Sequence, residues 1–316
     1  MHVVSFFFAL VGAASVHTLA ENVTCQNPVV RQEWRQLSEA TRQNYLDAVK
    51  CLKSKPSRLG LKTPLYDDFP YVHARLDNEI HFVASFLPWH RYFVHVYEKA
   101  IQECGYEGAA TYWDWSLDTS DVPGSSIWDA RSGFGGNGVR PGPNGTNTPK
   151  CIQDGPFKDL RVHYSQLETK EHCLEREWND GTEEAGDMLA QFYTPEVVNK
   201  AQQITNYNDY RIELEGGPHG ALHSAIGGDM TPSTSPNDPI FFLHHGQIDR
   251  LWTLWQAKDQ ENRALDYSGI KTQDQFDGVT PPPASLRDIM PMLGLAADVP
   301  VEEYMSTLGG PLCYRY

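Results

Sequence analysis

The sequence predicts a mainly helical domain with long loops and little β-structure. Apolar residues recur at helical spacing in several segments, and stretches rich in glycine, proline, serine and asparagine interrupt them. Strand-like alternation is scarce. The 316 residues are 40% hydrophobic and include 8 Trp, 15 Tyr and 13 Phe, which is enough to bury a large core. No repeat of 20 to 50 residues is visible, so we expect one domain over residues 21–316.

The first twenty residues have the composition of an export signal. An apolar run from Val3 to Val11 is followed by small residues up to Ala20, and the segment contains no Lys, Arg, Asp or Glu. The alternative is a first buried helix. No other stretch is long and apolar enough to span a membrane. We therefore predict that residues 1–20 are a cleaved signal peptide and that the mature protein is secreted.

The predicted export also decides how the cysteines are interpreted. All six lie beyond the predicted cleavage site, and an even number in an oxidising compartment indicates three disulfides rather than catalytic thiols. Cys151 and Cys173 are a plausible local pair, whereas the sequence leaves the other pairings open. Asn22 and Asn144 begin glycosylation sequons that are also compatible with ordinary turns.

The first predicted helical region opens at Asn27-Pro28 and ends before Pro56. Four apolar residues recur in it at helical spacing: Tyr45, Leu46, Val49 and Leu52. Further along, the residues from Val122 to Pro149 and from Thr280 to Ser285 are predicted to be surface loops.

The charge of the chain excludes some classes of partner. Asp and Glu number 41 against 26 Lys and Arg, which gives a formal charge of -15. Such a protein repels phosphate backbones and anionic lipid headgroups, so we expect neither a nucleic-acid nor a membrane partner. Neutral or cationic small molecules fit better.

Eight of the ten histidines beyond the predicted signal fall in two clusters, and the first cluster surrounds a predicted helix from Pro88-Trp89 to about Cys104. His90 lies on the apolar stripe of that helix and should point into the core. His95 lies on the polar face and is predicted to be solvated, which excludes it as a metal ligand. No helical period fixes the direction of His73 or His81, so both remain open between a ligand and an ordinary role.

The second cluster begins in a helix predicted to open at Gly217-Pro218. His219 and His223 are four residues apart on one face, the spacing that lets two imidazoles meet one metal ion. A zinc protease of this pattern needs a glutamate directly after the first histidine. Gly220 occupies that place, so zinc proteolysis is disfavoured.

A further helix is predicted from Asp238-Pro239. His245 shares its aromatic face and should point into the core, whereas His244 lies on a mixed face and is expected to form hydrogen bonds. Asp249 is expected to orient an imidazole or to pair with Arg250 at the surface. Three to six inward histidines without an obvious cysteine or carboxylate ligand favour copper or zinc over calcium or magnesium.

Three segments together resemble the tyrosinase, catechol oxidase and hemocyanin group. They are HFVASFLPWHRYF at residues 81–93, YWDW at 112–115, and NDPIFFLHH at 237–245 followed by DRLW at 249–252. The resemblance runs from about Cys25 to Tyr316 and is strongest to short secreted fungal polyphenol oxidases. It implies a four-helix bundle that holds two copper ions with three histidines each. The implied ligands are His73, His81 and His90 for the first copper and His219, His223 and His245 for the second.

The resemblance also implies an activity, the oxidation of phenols by O2, and points to residues beside the ligands. Glu215 matches a carboxylate that holds a water near the copper pair in several relatives, with Glu213 as a rival. Glu79 stands where some relatives have a cysteine bonded to a ligand histidine, so no such crosslink is expected. Gly220 stands where tyrosinases often have Asn, and Ser224 is a weak substitute for it.

These departures predict a catechol oxidase with weak hydroxylation of monophenols. A full tyrosinase and a hemocyanin-like oxygen carrier use the same six histidines and remain alternatives, with a zinc hydrolase well behind them.

Overall fold

The computed structural model describes residues 25–139, 149–179 and 187–316. The helices are α1 (Glu39–Leu52), α2 (Leu65–Ile80), α3 (Phe86–Glu103), α4 (Pro195–Ala201), α5 (Tyr207–Leu214), α6 (Gly220–Ile226), α7 (Ile240–Ala257) and α8 (Gln260–Arg263). The strands are β1 (Val29–Val30), β2 (Arg161–Ser165), β3 (Glu168–Cys173), β4 (Ile289–Met290), β5 (Val299–Pro300) and β6 (Tyr314–Arg315). The mainly helical prediction is confirmed. The predicted signal peptide and both sequons lie outside the described residues.

Helix α3 is central to the fold and packs against α1, α2 and α7. The four-helix core that carries the histidines consists of α2, α3, α7 and the α5–α6 segment, in which a π-helical turn, Glu215–His219, joins the two helices. Helices α3 and α7 begin within two residues of their predicted starts. Among the described residues, none of the helices has the length and apolar composition needed to span a membrane.

The predicted opening of the first helix at Asn27-Pro28 is wrong. Val29–Val30 instead pairs in parallel with Tyr314–Arg315, and the helix begins at Glu39, where the Ser38 hydroxyl accepts a hydrogen bond from the Thr41 N–H at 3.1 Å. Ser38 caps the exposed amides of the first turn, a function that Asn27 does not serve in the extended segment. The four predicted apolar residues of α1 are buried as expected.

The polar face of α3 is partly buried, which corrects the interpretation of His95 on that helix and of Asp249 on α7. Arg91 is buried and contacts Asp249, so Asp249 neither orients an imidazole nor pairs with Arg250. Arg250 pairs with Asp114 instead. His95 is half-buried, and burial lowers its pKa to about 4. A polar face can be buried when another element supplies the opposite charges, here α7.

The segment from Val122 to Pro149 is likewise less exposed than predicted. Its described part includes the short 3-10 turn Ser126–Trp128, and the side chains of Ile127, Trp128 and Phe134 are buried in the core. The turn-forming residues between these apolar side chains give the segment an irregular backbone, but the apolar side chains still pack into the core. The hairpin of β2 and β3, which the sequence did not predict, follows this segment.

All six cysteines form disulfides, as predicted. The pairs are Cys25–Cys313, Cys51–Cys104 and Cys151–Cys173. The last is the predicted local pair, and the first ties the segment before β1 to the one before β6.

Candidate metal centre

The first histidine cluster joins the end of α2 to the start of α3. His73 lies inside α2, His81 directly follows the last residue of that helix, and His90 lies in the second turn of α3. One ring nitrogen from each residue lies within 4.8 Å of the others, and the Nε2 atoms of His73 and His90 are 3.3 Å apart. The two histidines left open by the sequence therefore meet the one whose direction was predicted.

Backbone carbonyls fix the orientation of these three rings. The Nδ1 atom of His73 donates to the Ser233 carbonyl at 2.6 Å, and that of His90 donates to the Phe86 carbonyl at 2.8 Å. His81 Nδ1 lies 3.2 Å from the Asp77 carbonyl oxygen and 2.9 Å from a carboxylate oxygen of the same residue. A proton on Nδ1 leaves the Nε2 lone pair free to bind a metal ion.

The second cluster is built on the π-helical turn Glu215–His219 and on α6 and α7. His219 Nδ1 donates to the Glu215 carbonyl at 3.0 Å, and His223 Nδ1 donates to the Met230 carbonyl at 2.6 Å. Gly217 kinks the backbone before α6 with φ −90° and ψ −106°, a conformation open to glycine, so the predicted helix start at Gly217-Pro218 is in fact a kink inside a π-helical turn. His245 lies on α7 and is buried.

His244 also lies in this cluster, because one nitrogen from each of the four histidines lies within 4.8 Å of the others. The Trp115 indole N–H donates to His244 Nδ1 at 3.2 Å. That bond uses the Nδ1 lone pair, so the neutral ring carries its proton on Nε2 and has no lone pair left for a metal. The hydrogen-bonding role predicted for His244 agrees with this geometry, although the sequence did not identify Trp115 as its partner.

Burial favours the neutral form of five of these rings. Burial lowers the pKa of His73, His90, His219 and His245 well below the usual histidine value, and it lowers that of His223 to about 4. Neutral imidazole is the form that binds metal ions, so no proton has to be displaced from these rings near neutral pH.

The two clusters face each other across a short gap. The rings of His90 and His245 stack with centroids 4.3 Å apart, and the centroids of His81 and His219 are 6.3 Å apart. Among the described residues, the Nε2 atoms of His219, His223, His244 and His245 and the Nδ1 atom of His245 have no hydrogen-bond partner. The Nε2 atom of His244 carries the ring proton and offers no lone pair. Buried lone pairs without partners are costly, and a metal ion that prefers nitrogen would satisfy them. The donor set therefore fits a pair of such ions.

Comparison with known proteins identifies the family. Residues 63–258 match the model of the common central domain of tyrosinase. The chain is 40% identical over 295 residues to the tyrosinase-like protein phomQ2 of Diaporthe leptostromiformis, covering 92% of this chain and 74% of that protein. The tyrosinase ustQ of Aspergillus flavus is also 40% identical, over 294 residues that cover 92% of this chain and 80% of its own.

This chain belongs to the tyrosinase family. The structure of a mutant polyphenol oxidase from Thermothelomyces thermophila superposes with a TM-score of 0.80 at 30% identity, covering 92% of this chain and 88% of that one. The protein is thus a tyrosinase-family oxidoreductase, and its cofactor is a pair of copper ions.

The carboxylate expected near the copper pair of this tyrosinase-family chain is buried, whereas its rival Glu213 is exposed. Glu215 Oε1 accepts a hydrogen bond from the Phe82 N–H at 2.6 Å, and Oε2 pairs with Arg211 at 2.9 Å. Burial raises the pKa of Glu215, which the Phe82 N–H and Arg211 oppose. Both carboxylate oxygens therefore already have protein partners.

The two small residues that follow the α6 histidines differ in their surroundings. Gly220 is half-buried, and a Cβ atom there would lie 3.3 Å from the Glu215 carbonyl oxygen. Ser224 is exposed on the same helix. Glu79 is also exposed, and because all six cysteines are in disulfides, no thiol remains for a thioether to a histidine.

The sequence places Phe241 on the same helix face as His245, but it identified neither Phe241 nor Phe86 as support for the histidine rings. Phe241 packs on His245 with ring centroids 4.2 Å apart, and Phe86 packs on His219 at 4.8 Å. Their helical spacing to the neighbouring histidines could have indicated this role. The carbonyls of Ser233 and Met230 could not be found in the same way, because every residue type carries a backbone carbonyl.

Proposed function

We propose that this protein is a secreted dicopper oxidase that converts o-diphenols to o-quinones with O2 and hydroxylates monophenols only weakly. In this proposal one copper is bound by His73, His81 and His90. The other is bound by His219, His223 and His245. The convergence of six buried or half-buried imidazoles on one gap supports this assignment.

When bound, the copper pair supplies the O2 chemistry and takes up the two electrons of the catechol. The protein's own part is positional. The Ser233 and Met230 carbonyls hold the Nδ1 protons of His73 and His223, so that both rings present Nε2. Phe241 packs on His245 and keeps that ring from rotating. This support fixes the positions of the ring nitrogens that would hold the two copper ions.

The preference for diphenols over monophenols is supported by position 220 and Glu215, the two places near His219 where a tyrosinase would have a group that helps to accept a proton. Gly220 has no side chain, and both carboxylate oxygens of Glu215 are engaged by Phe82 and Arg211. A monophenol has to give its hydroxyl proton to a base before hydroxylation, and although burial raises the pKa of Glu215, donors of the protein already engage both of its oxygens. Oxidation of a catechol is less demanding of a base in the protein.

The test is the ratio of initial rates on tyramine and dopamine, two amines that differ by one ring hydroxyl. We expect dopamine to be oxidised much faster by the parent protein and the ratio to shift toward tyramine in Gly220→Asn. Gly220→Ala is the matched control, because it adds the same Cβ contact with the Glu215 carbonyl without an amide. Comparable rates in the parent, or equal ratios in both variants, would contradict the proposal.

Elemental analysis tests the metal assignment separately. We expect two copper ions per chain, and stoichiometric zinc would refute a copper oxidase. Two bound coppers without any quinone from dopamine would indicate an oxygen carrier instead.

The three disulfides support export to an oxidising compartment. N-terminal sequencing of protein recovered from a culture medium should begin near residue 21. Recovery only inside cells, with the first twenty residues intact, would contradict secretion.

A further inference from the structure

The residue directly after His81 has an unusual backbone. Phe82 has a φ of 56°, in the left-handed region that bulky side chains rarely adopt. Its side chain is 56% exposed, so packing of the phenyl ring does not account for the conformation. Strain of this kind persists only where neighbouring groups impose it, and it often occurs at functional sites.

Two side chains hold the peptide group between His81 and Phe82 from both sides. Gln273 Nε2 donates to the His81 carbonyl at 2.7 Å, and the Phe82 N–H donates to Glu215 Oε1 at 2.6 Å. Arg211 in turn fixes the other carboxylate oxygen of Glu215 at 2.9 Å. Both polar atoms of one peptide group are therefore held, which sets the plane of the backbone leaving His81.

Glu215 also contacts the second cluster. Its backbone carbonyl accepts the Nδ1 proton of His219 at 3.0 Å, while its side chain holds the amide next to His81. The rings of these two histidines lie across the gap from each other, with centroids 6.3 Å apart. One residue thus connects a histidine of each cluster.

We propose that Glu215 is a positioning residue that keeps Phe82 in the left-handed conformation and thereby sets the direction of His81 relative to His219. Its carboxylate acts on the protein backbone rather than on a proton of the substrate. This inference rests on the proposed role of His81 as a copper ligand.

Glu215 and Gln273, which hold the peptide group between His81 and Phe82, are called the clamp below. The clamp makes a prediction that a proton-transfer role of Glu215 does not make. Glycine adopts a positive φ without steric cost, so Phe82→Gly should make the clamp less necessary. Phe82→Ala removes the same phenyl ring but keeps the cost of a left-handed L-residue. Glu215→Gln disrupts the clamp with little change of shape, because its amide NH2 faces either the Phe82 N–H, which loses its acceptor, or Arg211, which then no longer fixes the side chain.

The experiment measures copper affinity by competition with a chelator, in the parent protein and in single and double variants. We expect Glu215→Gln to weaken one of the two coppers about 10-fold, within the range for residues that orient ligands. When Glu215→Gln is combined with Phe82→Gly, the copper affinity should lie within about 3-fold of that of Phe82→Gly alone. When it is combined with Phe82→Ala, the copper affinity should stay about 10-fold weaker than that of Phe82→Ala alone.

Gln273→Ala is a second test, because it removes the other side of the clamp. It should weaken the same copper, and Phe82→Gly should again rescue it. Equal affinity in the two double variants of Glu215, or no loss of copper affinity in Glu215→Gln, would overturn the inference. A parent protein that fails to bind two coppers would refute the proposed function instead, so the two failures are distinguishable.

Discussion

Asp249 is the residue whose replacement should destabilise the copper-binding core most clearly. It is buried on α7 and accepts hydrogen bonds from Arg91 Nε at 2.5 Å, from Arg31 at 3.1 Å and from the Tyr314 hydroxyl at 2.6 Å. The Tyr316 hydroxyl is a fourth donor. These contacts join α7 to α3 and to the segments around β1 and β6, and α3 and α7 carry the stacked pair of histidines.

Asp249→Asn keeps the shape of the side chain but removes the charge that compensates two buried guanidiniums. Removing one partner of a buried ion pair costs about 3–5 kcal/mol, because it leaves a charge uncompensated. Arg31 retains Glu98 at 2.5 Å, so we expect the lower end, about 3 kcal/mol. The matched control is Glu171→Gln, whose partner Arg161 lies 3.1 Å away with both side chains more than half exposed, and which should cost about 0–1 kcal/mol.

The assay is denaturant unfolding of the metal-free protein, with the free energy extrapolated to water. Burial raises the pKa of Asp249, but Arg91 and Arg31 outweigh burial and lower it overall. A carboxyl with a lowered pKa contributes stability above its unfolded pKa, which is lost as the pH falls through the folded value. The difference between parent and Asp249→Asn should therefore be constant from about pH 5 to 8 and shrink only in stronger acid. A loss at pH 7 no larger than that of Glu171→Gln would refute the reasoning.

Two further predictions concern the histidines themselves. His90→Ala and His245→Ala should each lower the copper content and abolish catechol oxidation. His95 lies outside both clusters, so His95→Ala should keep two coppers and most of the activity. An inactive His95→Ala together with an active His90→Ala would reverse the assignment. Trp115→Phe should lower the rate while copper stays at two per chain, because the indole N–H no longer fixes the tautomer of His244. Loss of one copper in that variant would contradict a role of Trp115 that is confined to the tautomer of His244.

The sequence by itself determined the parts of the site that follow from local periodicity and chemistry. The 3.6-residue repeat placed His90 and His245 on apolar helix faces, and both are buried. The four-residue spacing of His219 and His223 put them on one side of α6. The even number of cysteines beyond the predicted signal led to three disulfides, of which Cys151–Cys173 was paired correctly because its loop is short.

Only the tertiary structure decided the contacts that depend on residues far apart in the chain. Arg91 meets Asp249 across 158 positions, and both side chains are buried although their polar character predicted exposed helix faces. Phe82 meets Glu215 across 133 positions, where a charged side chain binds a backbone amide. Any residue except proline offers such an amide, so residue type carries no signal for the partner. The direction of His81 depends on this contact, because a residue in extended backbone has no helical period to orient it.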